Sequence, residues 1–135
     1  MNIFVTDPDP WKCARVLPDK HIVKMPLETC QMLAIVASEK WGRGFGTLPR
    51  LDGTPYSTEK GAFRNHPCTI WAGDFVLNWH WLIQHGLACV MSILSAIRRF
   101  TVASKQLCMP SPSSLMLTLL VGLVRNLHHL LVLCL

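Results

Sequence analysis

Nine prolines and eight glycines punctuate the 135-residue chain at intervals that rule out a long uninterrupted coiled coil. The strongest break is Trp41 to Gly61, which holds five glycines and two prolines together with Arg43, Arg50 and Lys60. Such a stretch is a long loop with a basic edge, and long loops in compact domains carry function or stay disordered. Half the residues are apolar, and a chain of this length buries roughly two-thirds of its unfolded surface, so neither a disulfide nor a metal is required for folding.

Between the breaks the pattern is helical. Asp7-Pro8-Asp9-Pro10 joins a breaker to a cap, since Asp supplies an N-cap oxygen and Pro at the first helical position gives up no needed hydrogen bond. A short helix is predicted over Trp11 to Leu17. Residues 2–6, β-branched and aromatic, predict a small strand or a buried lead-in. From Lys20 to Lys40 the apolar Ile22, Val23, Met25, Leu27, Met32, Leu33, Ile35 and Val36 recur at helical spacing. Pro26 is expected to kink or break this helix, at about 3 kcal/mol if uncompensated. After Asn65-His66-Pro67 a second helix is predicted from about Cys68 to Cys89, with Trp71, Phe75, Trp79 and Trp81 on one broad, core-like side. The fold class is mainly α: a small helical single domain with long irregular loops, its C-terminal third left unassigned.

Charge divides the chain. Every acidic residue lies at or before Asp74, so residues 1–87 carry a formal charge of +1 and residues 88–135 carry +4. The first part reads as a helical domain bearing the candidate site, the second as a hydrophobic, acid-free tail. Val90–Leu135 has a single aromatic residue, Phe100, and reads as the out-of-register product of a frameshift or gene-boundary error rather than an authentic end. Arg125, Asn126, His128 and His129 interrupt Leu115–Leu135, leaving about ten clean apolar residues where a membrane span needs about 20. The six cysteines form no CxxC pair and the N-terminus lacks a secretory layout, so the expectation is reduced thiols in a cytoplasmic protein. A net charge of +5 suits a polyanionic partner.

Two clusters could carry chemistry. His21, Lys24, Glu28 and Gln31 follow one another at helical spacing and line one stripe of a helix. A solvated face looks much the same, yet a carboxylate flanked by lysine and imidazole can move protons while the cations, Lys20 included, hold a phosphate. Arg64-Asn65-His66-Pro67 presents a guanidinium, an amide and an imidazole ahead of a helix N-terminus, which is either a plain capped loop or a phosphate contact. His80 and His85 stand five apart, off the ligand pairing of a helical metal site, and no metal or cofactor is expected. Neither a GxSxG elbow nor a phosphate-binding GxxxxGK loop occurs; Gly42-Arg43-Gly44-Phe45-Gly46 lacks its lysine-serine end. The scattered cysteines read as buried small hydrophobes.

Leu17-Pro18-Asp19-Lys20-His21, followed six residues later by Glu28, resembles the first catalytic helix of the phage pyrimidine-dimer DNA glycosylase/AP lyase family, the phage endonuclease V type. Arg64-Asn65-His66-Pro67 is similar to the Lys-Asn-His-Pro segment of cellular relatives, and the resemblance covers about residues 1–87. It implies a monomeric helical enzyme that kinks damaged double-stranded DNA, flips a base and attacks the sugar C1′ with its own N-terminal amine. An α-amine titrates near 7.7–8, against about 10.4 for a lysine, so an appreciable fraction is nucleophilic at neutral pH. By the same resemblance Glu28 stabilises the sugar cation and moves protons through Schiff-base formation and β-elimination. His21, Lys20, Lys24, Arg64, Asn65 and His66 hold phosphates, and the tryptophans or Phe63 support the bent duplex. The family exposes a small residue by removing the initiator methionine; Asn2 is large for that removal, so the nucleophile is the amine of Met1 or is missing, and Met1 and Asn2 stand with Glu28 as the candidate catalytic residues.

Two other classes compete. In a non-enzymatic nucleic-acid-binding protein the same cations grip phosphates and Glu28 only pairs with Lys24. In a small membrane- or partner-interacting protein the Leu/Val tail does the work, although it lacks the Lys/Arg-rich face of an interfacial helix.

Overall fold

Asp9 starts the first helix. Its Oδ1 accepts the N–H of Trp11 at 2.8 Å and of Lys12 at 3.2 Å, and Pro10 takes the first position of α1 (Pro10–Arg15). The second helix, α2 (Asp19–Ala37), runs through Pro26 as one element. Pro26 is itself buried, and tertiary packing of this helix offsets the lost hydrogen bond. From Glu28 to Ser38 every residue except Gln31 is buried, so the C-terminal half of α2 is enclosed on nearly all sides and forms the centre of the molecule. The computed structural model describes residues 1–50, 52–107 and 121–122. Most of the acid-free segment beyond 107, and with it the reading of a frameshifted end, lies outside them.

The loop after α2 folds back on the helix end. Arg43 N donates to Val36 O at 2.7 Å and Gly46 N to Ala37 O at 3.1 Å, satisfying carbonyls that a helix C-terminus leaves open. Only glycine fits at Gly42, where a Cβ would lie 2.0 Å from Val36 O. Further along, an isolated bridge pairs Pro49 with Pro55, and Ser57–Lys60 forms a 3₁₀ turn held on α2 by the Thr58 hydroxyl, which donates to Gln31 O at 3.2 Å. The long loop expected from the glycines is present, and it is pinned.

One long helix was predicted after His66; two form, α3 (Pro67–Asp74) and α4 (Val76–Leu107). Phe75 between them is extended, with φ −134° and ψ 147°, and exposed rather than part of the aromatic core side. Side chains take carbonyls that a continuing helix would use: Arg43 reaches Gly73 O from across the fold, and Asn78 Nδ2 donates to Trp71 O at 2.8 Å from the next turn of chain. Residues 2–6 form no strand, because no partner strand exists among the described residues. They run extended, with Phe4 and Val5 exposed and Ile3 half-buried.

The core gathers Met32, Leu33 and Val36 of α2, Ala72 of α3, and Trp79, Leu82, Ile83, Val90 and Ile93 of α4. Each large aliphatic side chain so buried contributes about 1.5–3 kcal/mol. A smaller cluster of Ala14, Leu17, Met25, Ala88 and Cys89 ties α1 to α2 and α4. Helix α4 is continuous through positions 87 and 88. Its Val76–Arg99 portion is long and apolar enough to cross a membrane, but Trp79, Leu82, Ile83 and Val90 spend that apolar character on the core.

Candidate functional site

Glu28 lies in the middle of α2, where the face toward α4 is buried. Gly86 makes this approach close: a Cβ at that position would meet Thr29 Cγ2 at 2.8 Å and Thr29 Cβ at 3.2 Å, so α4 rests on the residue next to Glu28 without a side chain between them. The Glu28 side chain is 8% exposed and its Oε1 accepts from Lys24 Nζ at 2.9 Å, one helical turn earlier, while the lysine itself is 66% exposed. The pair therefore has one end inside the protein and the other in solvent.

The second oxygen of Glu28 is used from far away in sequence. The backbone N–H of Asn2 donates to Glu28 Oε2 at 3.0 Å, which brings the extended N-terminal segment directly over the carboxylate. Burial on its own raises the pKa of Glu28, but the Lys24 hydrogen bond, the Asn2 N–H and the charges of the N-terminal amine and Lys24 outweigh it. The carboxyl is held below the ordinary glutamate value and is ionised at neutral pH. Such a group can receive a proton or face a developing positive charge, and can return the proton afterwards.

His21 stands one turn before Lys24 on the same stripe. Its ring packs edge-on against Phe4 at 4.7 Å, and its Nδ1 is buried with no hydrogen-bond partner among the described residues. Lys20 is exposed at the start of α2. The structure thus brings Met1, Asn2, His21, Lys24 and Glu28 into one neighbourhood at the N-terminal segment.

Arg64, Asn65 and His66 are placed by other bonds. His66 Nδ1 accepts the Cys68 N–H at 3.3 Å and so caps α3; a neutral ring bonded in this way presents its Nε2 as a donor. Arg64 lies over the Trp41 ring at 4.3 Å and donates to Gly61 O at 3.2 Å. Asn65 is exposed. These three residues are organised by the loop and by the start of α3, and among the described residues no hydrogen bond or ion pair joins them to Glu28.

Sequence reasoning missed the aromatic frame behind the N-terminal segment. Trp81 donates from Nε1 to Pro8 O at 2.7 Å and stacks on His85 at 5.0 Å, Trp11 donates to Gln84 at 3.1 Å, and Cys13 Sγ donates to Phe4 O at 2.9 Å. The alternation of Trp and polar residues on α4 was the available signal, but its partners lie more than 70 positions away. Burial pushes the Cys30 and Cys89 thiols up to about 12, so both stay protonated and serve packing rather than nucleophilic attack. No group of three or more His, Cys, Asp or Glu side chains that could hold a metal ion occurs among the described residues.

An ionised, largely buried carboxylate thus sits between an exposed cation and the backbone of the N-terminal segment in a small helical protein. The family model described as pyrimidine dimer DNA glycosylase matches residues 1–93, which span α1, α2, α3 and the first part of α4. The chain belongs to the pyrimidine dimer DNA glycosylase family, and membership carries with it a general role in DNA repair on a DNA substrate. No curated protein and no solved structure matches it.

Proposed function

We propose that the protein is a glycosylase/AP lyase that removes damaged pyrimidines from double-stranded DNA through a Schiff base on its N-terminal amine, with Glu28 as the proton-handling group. The observation that carries this reading is the 3.0 Å bond from Asn2 N to Glu28 Oε2. If the initiator methionine is removed, the nitrogen already touching the carboxylate becomes the free α-amine; if Met1 stays, the amine is one residue further out. In either case the nucleophile and its base are neighbours, as covalent catalysis by an amine requires.

The chemistry then runs on this chain's own groups. The neutral amine attacks C1′ as the glycosidic bond breaks, and ionised Glu28 faces the positive charge that grows on the sugar. Glu28 takes the proton released as the C1′–N bond forms and passes it to the ring oxygen as the sugar opens, while the departing pyrimidine takes its proton from solvent. After ring opening to the imine a base removes a C2′ proton and the 3′ phosphate leaves as the C3′–O bond breaks. Lys20, His21 and the exposed outer side of Lys24 at one end, and Arg64, Asn65 and the free Nε2 of His66 at the other, hold backbone phosphates. The setting is the cytoplasm, with the protein acting as a monomer and without a cofactor.

Borohydride trapping tests the mechanism. The protein is incubated with duplex DNA carrying a thymine dimer or an abasic site, reduced, and examined for a covalent adduct by gel shift and mass. The expected result is an adduct mapped to the N-terminal residue and lost in Glu28→Gln. Salt-sensitive binding without any adduct would replace this reading with that of a nucleic-acid-binding protein.

A further inference from the structure

The basic loop between α2 and α3 enters the chemistry above only through its last residues, Arg64, Asn65 and His66, yet the rest of it is fixed in place too. Its five cations have different fates. Arg43 is tied to Gly73 O and acts as a staple, while Arg64, anchored on Gly61 O, is already among the phosphate contacts assigned above. Lys40, Arg50 and Lys60 instead line one open groove of about 710 Å³ with Ser38, Trp41, Thr47, Pro55 and Tyr56. All three are exposed, and none lies within ion-pair distance of a carboxylate among the described residues; Glu39 is the acid on the groove wall, and the exposed Asp52 carboxylate is close enough to Arg50 to feel its charge.

The groove is built rather than incidental. Ser38 Oγ accepts the N–H of Lys40 at 3.2 Å and of Trp41 at 3.4 Å, fixing one wall. The opposite wall is set by the Pro49–Pro55 bridge, by Arg50 N donating to Thr54 O at 2.7 Å, and by the Thr58 bond to α2. Trp41 carries Lys40 Nζ 4.8 Å and Arg64 4.3 Å from its ring centre, with Gly61 against its edge. A ring so covered holds cations in position and is not an open surface for stacking a base. The chemistry that fits is a row of phosphates.

We infer that this groove is a second DNA-binding site, in which Lys40, Arg50 and Lys60 grip backbone phosphodiesters of the duplex away from the reacting sugar. The inference rests on the DNA-repair reading but not on the Schiff-base step. Ser38 is ten residues beyond Glu28, a distance of about 15 Å along the helix. With strand phosphates about 3.4 Å apart along the axis, this separation corresponds to at most about four to five base-pair steps, reached when α2 runs along the duplex. The loop thus sets how much undamaged duplex the protein needs on one side.

The test is the salt dependence of binding to a fluorescently labelled undamaged duplex, measured by anisotropy for the whole wild-type chain and for the triple variant K40Q/R50Q/K60Q. Each phosphate contact contributes about 0.9 to the slope of log K against log salt, so the expected slope falls by about 2.7 in the triple variant and about 0.9 in each single one. The single variants decide the matter if the triple variant loses its helical circular dichroism. Adduct yield at saturating abasic DNA is expected to be unchanged. Unchanged slopes, or a wild-type chain that binds no duplex, overturn the inference. Reduced slopes in a protein that forms no adduct leave the groove standing and remove the Schiff-base mechanism alone.

Discussion

Gly86→Ala is a sharp probe of how α4 is seated beside Glu28. In an exposed helix the change would stabilise by about 1 kcal/mol, because alanine loses less backbone entropy than glycine. Here the added methyl would meet Thr29 Cγ2 at 2.8 Å, Cβ at 3.2 Å and Oγ1 at 3.3 Å. Rotating Thr29 does not relieve the clash, since its Cβ is also too near and the residue is 1% exposed with no space to enter. Overpacking of this kind costs about 1–3 kcal/mol, so the net effect is destabilisation by up to about 2 kcal/mol, and α4 is displaced where it covers the residue next to the carboxylate. Replacing Thr29 by Ala removes both offending γ atoms. In the Thr29→Ala background Gly86→Ala should therefore cost less, and the double-mutant cycle should show a coupling of about 1–2 kcal/mol. Urea unfolding of the four proteins measures it. Stabilisation by Gly86→Ala in the wild-type background would refute the close approach on which the placement of Glu28 rests.

Two further outcomes are expected. His85 is 1% exposed and burial lowers its pKa from 6.5 to about 4, so the unfolded chain binds more protons between those values and stability falls as pH drops through that window. Relative to His85→Phe, which keeps a ring beside Trp81, the wild-type protein should lose about 2 kcal/mol between pH 7 and pH 5, read from urea midpoints; parallel pH profiles would show that His85 is not held neutral. Lys24→Met removes the hydrogen bond and charge that oppose desolvation of Glu28, so the carboxyl pKa rises and the acid limb of the pH–rate profile for adduct formation moves to higher pH, whereas an unmoved limb would assign that titration to another group.

What the sequence determined by itself is local. Asp9-Pro10 and His66-Pro67 mark helix starts because capping depends on residues two or three positions apart, and both caps form. The same holds for the apolar periodicity of α2, for the glycine-rich loop, and for the stripe that sets Lys24 one turn from Glu28, an i,i+4 relation any helix imposes. The tertiary structure decided the rest. A local pattern carries no information about Arg43 reaching Gly73 across the fold, and that bond accompanies the break at Phe75 that periodicity alone would have run through. Asn2 meets Glu28 over a separation of 26 residues, with the N-terminal segment held by the Trp81 indole on Pro8 O and the Cys13 thiol on Phe4 O, and α1 held on α4 by the Trp11 indole. Glu28 was legible as a carboxylate on a polar stripe. Its burial and its backbone partner come from the packing of distant segments around α2, and its lowered pKa joins the local Lys24 bond to the long-range approach of Asn2 and the N-terminal amine, which the spacing within the helix does not encode.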